Sequence, residues 1–327
     1  MRRRRRQPLK NMMETNEKHT EKGAESTFVV LLSTYNGERF LRTQIDSILA
    51  QEGVGVQIVA RDDGSQDATQ DILNDYQQRG LLTWEQGKEN LGPARSFMEL
   101  LKNAPRGDYY AFADQDDFWM KDKLCSALQH TKSAMATEEK PFLYFCQTQL
   151  TDQQLQPMPS VIIHPKLTFG EALVYQFIGG CTMVMNNALR DIVCRYHPTF
   201  LPMHDVWIYD IAQAVGARIC FDPTPHILYR QHGDNTIGQG QGRLHAWRER
   251  LDRVVLNREH RRSRMANELK QGFADLMPSE NRDLLESFIR GKSSLRARLK
   301  LLKDPRFEPA DETTKKLFKI NVILNSY

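Results

Sequence analysis

From residue 28 onward, short continuous apolar runs alternate with amphipathic segments, and this rhythm limits the fold more than any other feature of the chain. A strand buried on both faces reads as an unbroken apolar run, whereas a strand with one wet face alternates. Phe28–Leu32, Val56–Ala60, Leu81–Glu85 and Tyr109–Ala113 read as such strands. Between them, Glu38–Gln51 carries Leu41, Ile45, Ile48 and Leu49 at helical spacing, and Asp67 is an N-cap candidate for a helix through Tyr76. Pro93 opens a helix running to Asn103, and Lys121–Ser133 reads as another. Alternation at this pace predicts an α/β fold with a mostly parallel sheet covered by helices on both faces.

The pattern continues more loosely. Phe142–Cys146, Cys181–Met185 and Ala217–Phe221 read as strands, and Thr168–Phe177, Ala188–Tyr196 and Asp205–Val215 as helices. After Gly242 the character changes. Leu244, Trp247, Leu251, Val254 and Val255 recur at helical spacing among many arginines, and a second helical stretch runs from Glu280 to Leu302. Three parts are expected: a basic, disordered segment over 1–26, a main domain over 27–240, and a basic helical extension over 241–327.

The chain has 327 residues, of which 40% are hydrophobic and 26% charged. That balance fits a globular protein and excludes a disordered one. No apolar run approaches the roughly 20 residues of a membrane-spanning helix. The opening MRRRRRQPLKNMM has no apolar segment behind it, so no secretory signal is expected. Five cysteines form no CxxC pair, which predicts reduced thiols and a cytoplasmic setting. The net charge of +4 hides an asymmetry: residues 1–10 carry +6 and residues 241–327 carry +8, leaving −10 for the middle. Basic ends fit either an anionic partner surface or a solvated face and a frayed terminus.

Ligands of open parallel sheets bind beyond the carboxyl ends of the strands. The first strand is followed by Ser33-Thr34-Tyr35-Asn36-Gly37, the second by Arg61-Asp62-Asp63-Gly64-Ser65, and the fourth by Asp114-Gln115-Asp116-Asp117. None carries a GxGxxG or a P-loop, which argues against dinucleotide oxidoreductases and P-loop nucleotidases. Three carboxylates within four residues repel one another unless a cation joins them, and Mg²⁺ or Mn²⁺ takes oxygen ligands and bridges to phosphate oxygens. The alternative for the same residues is a solvated acidic turn.

Strand-Ser-Thr-Tyr-Asn-Gly, Arg-Asp-Asp-Gly-Ser-x-Asp, Asn-x-Gly-Pro-Ala-Arg-Ser and Asp-Gln-Asp-Asp-x-Trp, in this order, resemble an inverting family 2 glycosyltransferase of the GT-A fold. Within that family the rhamnosyltransferase-like enzymes of bacterial surface polysaccharide assembly are most similar. The resemblance covers about residues 26–240. It implies a nucleoside-diphosphate sugar donor, UDP- or dTDP-linked, and a glycan or lipid-linked glycan acceptor. It implies a nucleoside site at Ser33, Thr34, Tyr35, Asn36 and Asp63, with Tyr35 on the pyrimidine ring and Asp63 accepting its N3–H. It implies Asp116 and His232 as ligands of Mn²⁺ or Mg²⁺, with Asp114 contacting the ribose of the nucleotide sugar or sharing the metal, Arg95 and Arg230 toward phosphate and Gly180 near the donor sugar. Asp205, in Met203-His204-Asp205-Val206-Trp207, matches the family's catalytic base, although relatives often carry Glu-Asp where this chain has His-Asp. A helix N-cap is the ordinary alternative for Asp205.

Two other readings remain. A sugar nucleotidyltransferase would favour a Gly-rich first loop with a basic residue, which Thr-Tyr-Asn-Gly-Glu lacks. A nucleic-acid-binding protein would use the basic ends, but an acidic middle repels a phosphate backbone, so no nucleic acid is expected as partner. The basic amphipathic stretch over 241–303, aided by residues 2–6, predicts peripheral contact with an anionic membrane at the cytoplasmic face of the inner membrane. Its apolar stripe could instead pack on the main domain.

Overall fold

A computed structural model describes residues 26–134, 140–160, 162–175, 177–232 and 260–327. Eight strands form one sheet: β1 (Thr27–Thr34), β2 (Gly55–Asp62), β3 (Leu82–Gln86), β4 (Tyr109–Ala113), β5 (Phe118–Trp119), β6 (Phe142–Thr151), β7 (Val184–Asn186) and β8 (Arg218–Arg230). The spatial order is β3-β2-β1-β4-β7-β6-β8-β5. The β1–β2, β2–β3, β1–β4 and β6–β8 pairs are parallel, while β7 runs antiparallel between β4 and β6 and β5 antiparallel on β8.

Both faces are covered, as the continuous apolar strands require. Along β1, Phe28, Val30 and Leu32 face one core and Val29 and Leu31 the other. The first core is closed by α1 (Leu41–Leu49), α2 (Thr69–Gln78) and α4 (Lys123–Ala134). The second is closed by α3 (Gly92–Asn103), α5 (Phe169–Val174), α6 (Asn187–Cys194) and α7 (His204–Ala214).

Four further helices, α8 (Arg261–Phe273), α9 (Ser279–Arg290), α10 (Leu295–Lys303) and α11 (Glu312–Leu324), continue that second core. Phe273 of α8 meets the indole of Trp207 edge-on at 5.7 Å. The stretch expected as one helix over 280–302 is two, because the chain turns at Gly291 and Ser294 caps the next helix by accepting the Ala297 N–H (3.2 Å). A side chain at Gly291 would collide with the Tyr327 hydroxyl packed there.

The strand expected over 181–185 is shorter. Gly180–Thr182 forms a 3₁₀ turn in which Thr182 Oγ1 and N–H both donate to the Gly179 carbonyl (2.7 and 3.0 Å). Similarly, the helix expected through Phe177 ends at Val174. The arginine run at residues 2–6 and the stripe from Leu244 to Val255 lie outside the described residues.

Candidate active site

The loops after β1, β2 and β4 converge. Thr34 Oγ1 at the end of β1 donates to Asp62 Oδ1 (3.1 Å). Asp62 also accepts the N–H groups of Gly64 (3.1 Å) and Ser65 (2.9 Å) and Gln70 Nε2 (2.9 Å), so it builds the turn after β2. Asp63 lies beside β1, donating its N–H to the Thr34 carbonyl (2.9 Å). Its carboxylate pairs with buried Arg61 and accepts the Leu91 N–H (3.1 Å). Arg61 reaches on to Ser96 Oγ (3.3 Å), which is bonded to Ser33 Oγ (2.7 Å). Beside this buried acceptor, Tyr35 is 48% exposed. Gln115 clamps its backbone, accepting the Tyr35 N–H (2.8 Å) and donating to its carbonyl (3.0 Å). Asn36 has a left-handed backbone (φ 48°) and accepts the Gln66 N–H (2.8 Å), tying the β1 loop to the β2 loop. Arg95 is exposed on the first turn of α3, next to Ser96.

The acidic turn after β4 divides its carboxylates. Ligand atoms of Asp114, Asp117 and Cys181 lie within 4.8 Å of one another. Burial raises the Asp114 carboxyl to about 7, with the charges of Asp116 and Asp205 adding to it. Burial and the charges of Asp116 and Asp114 push Asp117 well up, although one of its oxygens accepts the Arg230 N–H (3.1 Å). Its other oxygen is buried without a hydrogen-bond partner. The Cys181 thiol is raised by burial and by both aspartates. Asp116, in contrast, sits against His232 Nε2 (2.8 Å), whose ring packs on Phe40 with centroids 5.0 Å apart.

Of the expected ligands, Asp114 lies in the cluster with Asp117 and Cys181, whereas Asp116 and His232 form a pair of their own. Residues three apart across a tight turn come together, which selects Asp114 and Asp117, while Asp116 between them turns toward His232. Arg230 is buried and committed to this turn, donating from Nε to the Asp116 carbonyl (2.7 Å) and from Nη1 to the Gln153 carbonyl, over the Phe40 ring. The continuation of that segment, Gly233–Asn235, lies outside the described residues.

The donor set fits a divalent ion. Two crowded carboxylates, one with an orphaned buried oxygen, suit a hard cation that keeps both ionised. The Cys181 thiol is a softer donor. Sequence reading missed one further interior cation. Lys123 is fully buried with Nζ 3.5 Å from the Trp119 ring centroid. Burial lowers it to about 8, while Cys146, Cys181 and Asp117 favour its charge. Nothing in the sequence separates this lysine from an ordinary helix-start lysine.

Asp205 lies in the first turn of α7, behind an N-cap residue, Met203, that makes no side-chain cap. Its Oδ2 accepts the Gly180 N–H (3.0 Å) and its Oδ1 the Val206 N–H (2.7 Å). Asp205 is thus one residue inside the helix and not its N-cap, and its carboxylate is held by the Gly180 and Val206 N–H groups. His204 fills the space beneath: its ring packs on Phe97 and Phe112 at 4.2 and 5.2 Å, and burial favours its neutral form. An added Cβ at Gly180 would strike His204 Nε2, so a side chain here would have to displace that ring. The turn at Gly180–Cys181 joins the Asp205 carboxylate to the Asp114–Asp117 cluster.

The model of the family described as "Glycosyl transferase family 2" matches residues 29–192, half of the chain. The chain belongs to glycosyl transferase family 2. The matched span of this transferase holds Tyr35, Asp63, Asp114–Asp117 and Gly180 and ends before Asp205 and His232. Among named relatives, the dTDP-rhamnosyl transferase RfbG of Shigella flexneri is 27% identical over 232 residues, covering 63% of this chain and 73% of RfbG. The putative teichuronic acid biosynthesis glycosyltransferase TuaG of Bacillus subtilis is 30% identical over 162 residues, 48% of this chain and 61% of TuaG. Solved structures share the fold. S. aureus TarS 1-349 in complex with UDP-GlcNAc superposes with a TM-score of 0.54 at 17% identity, over 92% of this chain and 93% of that one. The mannosyltransferase PcManGT from Pyrobaculum calidifontis, in complex with GDP-Man and Mn²⁺, gives 0.53 at 16% identity, over 93% and 82%.

Proposed function

We propose that this transferase moves a sugar from a UDP- or dTDP-linked donor to a hydroxyl of a glycan or lipid-linked glycan, with inversion, in surface polysaccharide assembly. The observation that carries the proposal is the Gly180–Cys181 turn, which sets one carboxylate, Asp205, beside a cluster of two others. Inversion by direct displacement needs one base opposite the leaving group. Asp205 takes the acceptor hydroxyl proton as the new glycosidic bond forms and the bond from the anomeric carbon to phosphate breaks. The two backbone N–H groups bonded to it fix its position. Asp114 and Asp117 hold a divalent ion, Mn²⁺ or Mg²⁺, which when bound neutralises charge on the departing diphosphate. Exposed Arg95 faces the same phosphates, whereas Arg230 shapes the turn. Tyr35 offers a ring face to the base and Asp63 an acceptor for its N3–H, with Ser33, Thr34 and Asn36 shaping the loop.

A pyrimidine is favoured because uracil and thymine both present that N–H. The likeness to a dTDP-rhamnosyl transferase supports a deoxyhexose, dTDP-rhamnose among them. A thermal-shift panel of UDP-, dTDP- and GDP-sugars with Mn²⁺ tests the reading, followed by assay of nucleoside diphosphate release. A pyrimidine donor should raise the melting temperature in a metal-dependent way. Stabilisation by purine donors alone would overturn the nucleoside assignment.

A further inference from the structure

Scattered exposed aliphatic side chains are normal, but a cluster of them is not. Among the described residues, the last two long helices carry such a cluster. Leu295 is 68% exposed, Ile323 62% and Leu324 57%, with Leu299 and Ile320 also exposed. Leu295 and Leu299 are one turn apart on α10, and Ile320, Ile323 and Leu324 share a stripe on α11. The opposite faces are the buried ones: Leu301, Phe318 and Val322 point into the core. Arg298 Nη1 donates to the Ile323 carbonyl (3.4 Å), so the start of α10 lies against the end of α11 and the two stripes are neighbours.

The charge on these two helices is predominantly positive. α10 holds Arg296, Arg298, Lys300 and Lys303 and no acid, and α11 holds three lysines against Glu312. Lys315 and Lys319 are engaged by Glu308 (2.9 and 3.4 Å). Arg296, Lys300, Lys303 and Lys316 are exposed. Aliphatic side chains rimmed by exposed cations match an anionic bilayer, whose acyl boundary takes the one and whose headgroups take the other. A second copy of the chain would bring cations against cations, and a nucleic acid would leave the aliphatics in water.

We propose that the outward face of α10 and α11 is a docking platform for an anionic lipid bilayer. This platform shares only α10 with the basic stretch over 241–303, adds α11, and does not depend on which sugar is moved. No described helix is long and apolar enough to cross a membrane, so attachment through this face is peripheral.

Co-sedimentation of the full chain with phosphatidylcholine–phosphatidylglycerol vesicles tests it. Binding should be strong at low salt, weaken in 0.5 M salt and be weak on phosphatidylcholine alone. Two variant sets alter only exposed residues: Leu299→Ser with Ile320→Ser and Ile323→Ser, and Arg296→Gln with Lys300→Gln and Lys316→Gln. Each should lower vesicle partition at least about tenfold with the melting temperature unchanged. Deletion of residues 2–6 should leave most of the binding. The proposal is overturned if the full chain stays in the supernatant. It is equally overturned if only the 2–6 deletion abolishes binding, or if the apolar set dissociates a homodimer without changing vesicle partition.

Discussion

Glu268 on α8 tests whether the C-terminal helices are structural parts of the catalytic unit. Its buried carboxylate accepts Tyr196 Oη (2.7 Å), Thr199 Oγ1, and the N–H groups of Thr199 (3.2 Å) and Phe200 (3.0 Å). Those donors lie on the segment that leads into α7 and Asp205. Burial pushes this carboxyl up, but the hydrogen bonds from Thr199 and Tyr196 and from the two backbone N–H groups outweigh it and hold it below the usual value. Glu268→Gln replaces one acceptor oxygen by an NH₂ facing these donors. Hydrogen bonds to a charged acceptor contribute about 1.5–3 kcal/mol and an unpaired buried N–H costs about 1–3 kcal/mol. The net loss should be about 3 kcal/mol, or roughly 4–5 °C in melting temperature for a chain of this length at about 2.1 cal/mol/K of unfolding entropy per residue. Because the folded pKa is depressed, the stabilisation by the ionised side chain is complete above the unfolded value of about 4.3 and lost as pH falls through the folded pKa. The gap between wild type and Glu268→Gln should be full at pH 7 and shrink below about pH 4. Urea unfolding at both pH values measures it. Glu286→Gln, in a surface pair with Arg290 (2.8 Å), is the control and should change stability by less than about 1 kcal/mol. A Glu268→Gln protein as stable as this control at pH 7 would refute the argument.

Asp205→Asn should keep donor affinity by calorimetry and lose turnover by about 10²–10⁴. Turnover within a few-fold of wild type would place the base elsewhere. Asp117→Asn should abolish the rise in melting temperature produced by Mn²⁺, and an undiminished rise would remove Asp117 from the ion site. Tyr35→Ala should leave stability within about 0.5 kcal/mol, since the ring is exposed, yet weaken nucleotide binding roughly tenfold through lost stacking. An unchanged nucleotide Kd would sever Tyr35 from the nucleoside site.

Much of the fold is legible in the sequence wherever burial is two-sided. Tyr109–Ala113 is a strand with the bounds its apolar run predicts, and β1 extends its run by only a few polar residues. Elements escape where the period is broken. β8 continues from Phe221 to Arg230 through Pro223 and Pro225, with register shifts against β6, so its second half reads as loop. β5 is two residues long and shows no period at all. Of the helices after residue 260, α9 and α10 are visible as one amphipathic stretch and α8 and α11 only as parts of a basic helical extension, and the partner of each apolar face is not visible. Phe273 on Trp207 and Glu268 at Thr199 are contacts made over about seventy residues of chain.

The same distinction runs through the candidate site. A motif fixes which residues stand at a strand end, since it records positions along the chain. It does not fix how a four-residue turn directs its side chains. Asp-Gln-Asp-Asp contains three carboxylates that look equivalent in sequence, yet the turn gives Asp114 and Asp117 to one cluster with Cys181 and Asp116 to His232. Gln115, the polar residue between them, proves to be the clamp on Tyr35. The departure from Glu-Asp at His204-Asp205 has a related cause. A glutamate at 204 would bury a charge among Phe97, Phe112 and Gly180, near carboxylates that already raise one another. A neutral imidazole fills that volume without adding to the repulsion. Asp205 then remains the carboxylate bonded to the Gly180 N–H, at the point where the acidic cluster and the turn that supports it meet.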